Sequence, residues 1–168
     1  MVEKKQIVYD LMLKYSGPLS VEEFYAETER WMSEKGLHKE LKRKSEQVTP
    51  KGRRIEWIIE AWKSFDHDNK EVVRLRALFD DVKEVKIKRK GRSLRINEGE
   101  VFIVVEGFLE TELAKRWTQK PMYFFLRTLY DKYIWPILNK YDGEVLADSY
   151  NLHKRLKAFF DVYKMKVS

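Results

Sequence analysis

Between Val73 and Leu109 apolar and polar residues alternate almost without interruption, a pattern that no helix accommodates. Val73, Leu75, Ala77 and Phe79 alternate with Arg74 and Arg76, and Val85 and Ile87 with Lys86 and Lys88. Arg89-Lys90-Gly91-Arg92 reads as a turn, Leu94 and Ile96 answer on the return, and Asn97-Glu98-Gly99 reads as another turn. Val101, Ile103, Val105, Gly107 and Leu109 then continue the alternation. Successive side chains of a strand point to opposite faces, so period two predicts strands with one buried face. Phe102, Val104 and Phe108 make the last of them apolar on both faces, as in a central, covered strand. Short connections predict sequential antiparallel neighbours.

Upstream, Ile7, Tyr9, Leu11, Leu13 and Tyr15 are apolar at period two and predict a strand over 5–15; a helix with Ile7, Leu11 and Tyr15 on one face is the competing pattern. Ser16-Gly17-Pro18 ends it. Ser20 with Glu23 three residues on is a capping box, and Leu19 with Phe24 a hydrophobic staple. Val21, Phe24, Tyr25, Thr28, Trp31 and Met32 give that helix one buried face, and Gly36 ends it. Residues 38–54 hold seven Lys/Arg and two Glu together with Pro50 and Gly52, and are expected to form a loop or frayed helix followed by a turn. Residues 55–65 fit helix and strand alike. The turn cluster Asp66-His67-Asp68-Asn69-Lys70 decides for strand, because a strand follows and the two make a hairpin.

Downstream, Pro121 opens an expected helix over 121–134 with Met122, Phe125, Leu126, Leu129 and Tyr133 on one face, stopped by Pro136. A last helix is expected over 144–164, with Val145, Leu152, Leu156, Phe159, Phe160 and Tyr163 as its stripe. Strand, helix, a run of strands and two helices predict an α+β domain over 1–168: a curved antiparallel sheet of five to six strands with helices on one face, and a basic loop at 38–54.

Several function classes are excluded by composition. The chain has no cysteine, hence no disulfide, thiolate metal site or cysteine nucleophile. No apolar run is long enough to cross a membrane, and MVEKKQIVYD has no apolar core of a secretory signal, so a cytoplasmic protein is expected. Charged residues are 36% of the chain, against about 25% in ordinary domains, which together with the lack of cysteine predicts a thermostable protein.

No catalytic set can be named, so an enzyme is not expected, and neither is a cofactor. The chain lacks the glycine-rich phosphate loops, the serine elbow and the paired-histidine zinc motif. Of three histidines, His38 lies in the basic segment, His153 on the last helix, and His67 between Asp66 and Asp68. Asp-His-Asp suits a cation, and it equally suits a turn whose backbone needs polar partners. Asp80 and Asp81 are adjacent and point apart; Glu110 and Glu112 share a face only if the strand reaches them.

Two features carry more. Residues 38–54 have a local charge of +5 and residues 83–95 of +6, leaving the rest of this +7 chain net acidic. Lys86, Lys88, Arg89, Lys90, Arg92 and Arg95 form a cationic hairpin face, and Lys42, Arg43, Lys44, Arg53 and Arg54 a second basic set. Such surfaces bind phosphates or anionic membranes, or guard an exposed edge against aggregation. Trp57, Trp117, Phe124, Phe125 and Tyr133, with Tyr130 and Trp135, sit on elements expected to face one another, where rings line a ligand pocket or fill a core.

The element order resembles START-like helix-grip domains, in which a bent sheet wraps a C-terminal helix. Glu56-Trp57, Asn97-Glu98-Gly99, Gly107-Phe108-Leu109-Glu110-Thr111-Glu112, Arg116-Trp117, Tyr130-Asp131-Lys132-Tyr133-Ile134, Leu152-His153-Lys154 and Ala158-Phe159-Phe160-Asp161-Val162-Tyr163-Lys164 also resemble stretches of an uncharacterised archaeal family. The resemblance implies a non-enzymatic binding domain that holds an apolar small ligand between sheet and C-terminal helices. The basic segments supply the alternative, a nucleic-acid or anionic-surface binding protein.

Overall fold

The computed structural model describes residues 2–89, 91–112 and 141–167. Strands β1 (Val2–Leu19), β2 (His38–Thr49), β3 (Gly52–Ser64), β4 (Asn69–Arg89) and β5 (Arg92–Glu112) form one antiparallel sheet in the order β1-β5-β4-β3-β2. Helix α1 (Val21–Lys35) carries the chain from β1 at one edge to β2 at the other. Consecutive hairpins then bring it back until β5 lies beside β1. Helix α2 (Asp142–Val167) packs on β1, β5 and β4. The class is α+β, with five strands among the described residues. Two helices are described, and the helix expected over 121–134 lies outside the described residues.

Local chemistry explains α1. The Ser20 hydroxyl accepts from the Glu23 amide at 3.2 Å, and Gly36 takes the left-handed conformation at φ 69° that ends the helix. Its buried side chains are Val21, Phe24, Thr28, Trp31 and Met32, and Tyr25 is half-buried. They meet the inner face of the sheet, made by Ile55, Trp57, Ile59, Val73, Leu75, Phe79, Val101, Ile103 and Val105, and the α2 stripe of Leu152, Leu156 and Phe160. Phe24 is the hub, edge-on to Trp57 and Phe79 and stacked with Phe160. Two polar ties fix α1 against α2: the Trp31 indole N–H donates to Asn151 Oδ1 at 3.0 Å, and Arg155 bonds both Glu27 and Glu34.

Residues 55–64 fall in β3, as the following turn predicts, and Phe65 opens the turn. The expectation for 38–54 is corrected: His38–Thr49 is a strand, and Gly52 already begins β3. β2 is an edge strand in which only Ser45 and Thr49 are even half-buried. With no buried face it has no hydrophobic period, and backbone pairing with β3 defines it instead. Asn97-Glu98-Gly99 is also not a turn. β5 runs straight through it, pairing Leu19 with Asn97 on one side and Lys83 with Glu98 on the other.

Gly99 has another purpose. On β4, Asp81 and Val82 together occupy the space opposite this one residue, a β-bulge with Asp81 at φ 54°. A Cβ on Gly99 would stand 3.0 Å from Asp80 O, and one on Gly52 would stand 2.8 Å from Val82 O. The bulge therefore needs a glycine on the strand at each side.

Candidate nucleic-acid interface

The bulge decides what the basic hairpin presents. One extra residue in a period-two pattern moves every later side chain to the other face. Before it, Val73, Leu75, Ala77 and Phe79 face the core; after it, Val85 lies on the outer face, paired with Ile96. The pairs Lys86–Arg95 and Lys88–Ser93 take the side on which the helices lie. The expectation that the apolar face of this hairpin packs on the core is thereby reversed. β3 stops accompanying β4 at Val82, and β1 stops accompanying β5 at Asn97. From Val85 and Ile96 to the tip the hairpin is a free two-stranded ribbon.

Lys83, Lys86, Lys88, Arg92 and Arg95 are exposed on and at the base of this ribbon. Arg95 lies 3.6 Å from Glu84, and no other ion pair is formed by these five among the described residues. The side chain of Arg89, and Lys90, lie outside the description.

The second basic set differs. Lys42 Nζ lies 2.7 Å from Glu40 and 3.5 Å from Glu60, Arg43 lies 3.7 Å from Glu56, and Arg53 lies 3.1 Å from Glu46. Lys44 stands 5.0 Å over the ring of Tyr25. Glu60 also holds Arg74 at 2.9 Å; burial pushes its carboxyl up, and the Arg74 and Lys42 contacts outweigh that and hold it low. Arg54 stands without an ion pair among the described residues, beside an open concavity of about 270 Å³ on the outer face. The +5 of residues 38–54 is thus largely spent within the sheet.

Trp57 is 3% exposed, 5.8 Å from Phe24 and 4.5 Å from Tyr25, inside the core. Trp117, Phe124, Phe125, Tyr130, Tyr133 and Trp135 lie outside the described residues. The Asp66-His67-Asp68 triplet serves its turn. Asp66 accepts from the amides of Asp68 and Asn69 at 2.8 Å and from the Tyr141 hydroxyl at 2.8 Å. Burial raises its carboxyl, and these bonds, with that from the Asn69 side chain, bring it below its ordinary value. Phe65 stacks on Tyr141, so this turn anchors the start of α2. Among the described residues no three metal-ligating groups converge.

One cluster was not anticipated. Glu71 is fully buried on the inner face, with Lys63 Nζ 3.6 Å away; the same ammonium lies 3.3 Å from Asp148 on α2. With both carboxyls ionised, neither Glu71 oxygen has a hydrogen-bond donor. Burial, then a hydrogen bond to Asp148 and its charge, push Glu71 up to about 8 against the pull of Lys63. Protonated, it donates to Asp148. Its signal in the sequence was parity, since Glu71 is two residues before Val73 and four before Leu75 on the core-facing register. It lines none of the four concavities described among these residues.

No helix among the described residues is long and apolar enough to cross a membrane. No family model, curated protein sequence or solved structure matches the chain.

Proposed function

We propose that the protein is a non-enzymatic module that binds duplex nucleic acid through the β4–β5 ribbon. The observation that carries this reading is the contrast between the two basic segments: among the described residues Lys42, Arg43 and Arg53 of β2 and β3 have carboxylate partners, and Lys86, Lys88 and Arg92 of the ribbon have none. An unmatched cation on a projecting element is free to displace the counterions of a phosphate backbone, the main source of nucleic-acid affinity. A two-stranded ribbon fits the duplex major groove, which is about 12 Å wide. From Lys83 to Arg89 it extends about 20 Å at ~3.3 Å per residue. It carries no aromatic residue, so it lacks the stacking surface of a single-strand binder.

We read the fold as helix-grip-like, with α2 along β1, β5 and β4 on the face that α1 shares. A ligand between sheet and helix would need an opening beside Trp57, where Phe24 and Tyr25 already sit.

The test compares duplex DNA, single-stranded DNA and anionic vesicles as partners of the wild type and of a variant with Lys86, Lys88, Arg92 and Arg95 changed to Glu. Duplex binding should fall at least about a hundredfold in the variant, given a net gain of several repelling contacts. Binding to vesicles but not to duplex would reassign the ribbon to a membrane surface and overturn the proposal.

A further inference from the structure

The core cluster around Phe24 and the two described helices occupy one face of the sheet, and the other face holds a stripe that they do not cover. Met12 is 54% exposed, and Ile58, Leu78, Phe102 and Val104 are half-buried. Open concavities of about 270 Å³ and about 520 Å³ meet at Leu78 and Phe102. A stripe of this kind, rimmed by charges, is a docking surface.

The pairing register says what fits it. Reading across the sheet from β1 to β3, one row is Lys14, Phe102, Leu78, Glu56, and the next is Met12, Val104, Arg76, Ile58. The first row is self-complementary about a line between β5 and β4: folded over that line, Lys14 meets Glu56 and Phe102 meets Leu78. In the second row Met12 meets Ile58, and Val104 meets the aliphatic stem of Arg76. Lys14 and Glu56 are two strands removed from being neighbours, so pairing within one sheet does not account for their opposite charge. The patch is also electrically balanced on a chain of +7: Lys14, Arg54 and Arg76 against Glu56, Asp80 and Glu100.

We propose that the outer face docks a second copy of this chain, sheet against sheet, about a two-fold axis parallel to the strands between β4 and β5. In a two-fold interface each contact is made twice, so one complementary row supplies two ion pairs and two apolar contacts. Aligned sheets stack about 10 Å apart with their side chains interleaved. Beyond the bulge the same axis brings Lys83 over the partner's Glu98 and Val85 over the partner's Ile96, extending the contact toward the tip. Asp80 over the partner's Glu100 is a like-charged row, with Lys83 next to it on the ladder. Glu56 also lies 3.7 Å from Arg43, and Lys14 lies 5.6 Å over Phe102, both contacts loose enough to be shared. An axis along the strands leaves both ribbons at the same end of the dimer. The proposal does not depend on what the ribbons bind.

The test is the mass in solution by sedimentation equilibrium and light scattering, from micromolar to millimolar protein. The wild type should reach twice the 20.3 kDa of the chain. Lys14→Glu and Glu56→Lys should each weaken the dimer at least about tenfold, and the double variant, which restores opposite charges, should recover it. Leu78→Arg should be monomeric with its helical and strand circular dichroism intact. A wild type that stays monomeric throughout overturns the proposal. So does a dimer indifferent to Leu78→Arg, or a double variant no tighter than the singles.

Discussion

Glu71 on β4 and Asp148 on α2 face one another across the joint between sheet and helix, bridged by the ammonium of Lys63 at 3.6 and 3.3 Å. Lys35 of α1 lies 3.9 Å from Asp148, and Glu144 adds its charge from the preceding turn of α2. Because Glu71 is raised to about 8, the folded chain keeps a proton that the unfolded chain releases near the ordinary glutamate value of about 4.3. The stabilisation is fully present below that value and is lost as pH rises toward 8. The melting temperature of the wild type should therefore fall between pH 5 and pH 8, the interval that the raised value spans. Glu71→Gln, which keeps the shape and a donor for Asp148, should flatten that slope. A wild-type melt independent of pH across this interval would remove the shared proton from the account.

Trp31 joins α1 to the core and, through Asn151, to α2. Trp31→Ala should cost about 3–5 kcal/mol, the usual range for a large ring replaced in a core. Trp31→Phe should cost less, chiefly the hydrogen bond, at about 1 kcal/mol plus the poorer fit. Chemical denaturation of the two variants measures both, and a Trp31→Phe variant as stable as the wild type would show that the indole hydrogen bond contributes nothing.

Gly107 lets α2 approach the sheet. A Cβ there would stand 2.4 Å from Ser149 Oγ and 2.9 Å from Val145 Cγ1. Gly107→Ala should destabilise by about 1–3 kcal/mol through overpacking. Ser149 Oγ is buried with no hydrogen-bond partner, so Ser149→Ala alone should be neutral or stabilising. In the double variant the 2.4 Å clash is gone, and part of the stability should return. Strict additivity of the two changes would show that they do not meet.

Much of this architecture could be read from the residues. The capping box, the alternation of β4 and β5 and the stripe of α2 are local patterns, each set by a period or a cap. β2 was hidden because an edge strand without a buried face leaves no period to read. The bulge was hidden because Asp80-Asp81 and Gly99 resemble ordinary turn residues until they are set opposite one another. Arg155, whose place on the polar side of α2 suggests solvent, instead binds Glu27 and Glu34 of α1, contacts between residues 128 and 121 positions apart. The candidate site divides in the same way. Charge clustering marked both basic segments, but only tertiary pairing separates Lys42, Arg43 and Arg53, which have carboxylates, from Lys86, Lys88 and Arg92, which have none among the described residues. Parity could have identified Glu71; its partner Asp148 comes from the other end of the chain.

The central claim is that the ribbon cations contact phosphates, and the most direct measurement is the salt dependence of duplex binding. If four to six of them do so, the plot of log affinity against log salt should have a slope of about −4 to −5. The variant with Lys86, Lys88, Arg92 and Arg95 changed to Glu should bind too weakly to give one. Changing Lys42 and Arg43 to Ala, whose charges are already matched within the sheet, should leave the slope within about one of the wild type. A wild type that fails to bind duplex even at low ionic strength, or a slope that the ribbon variant leaves unchanged, would contradict the account.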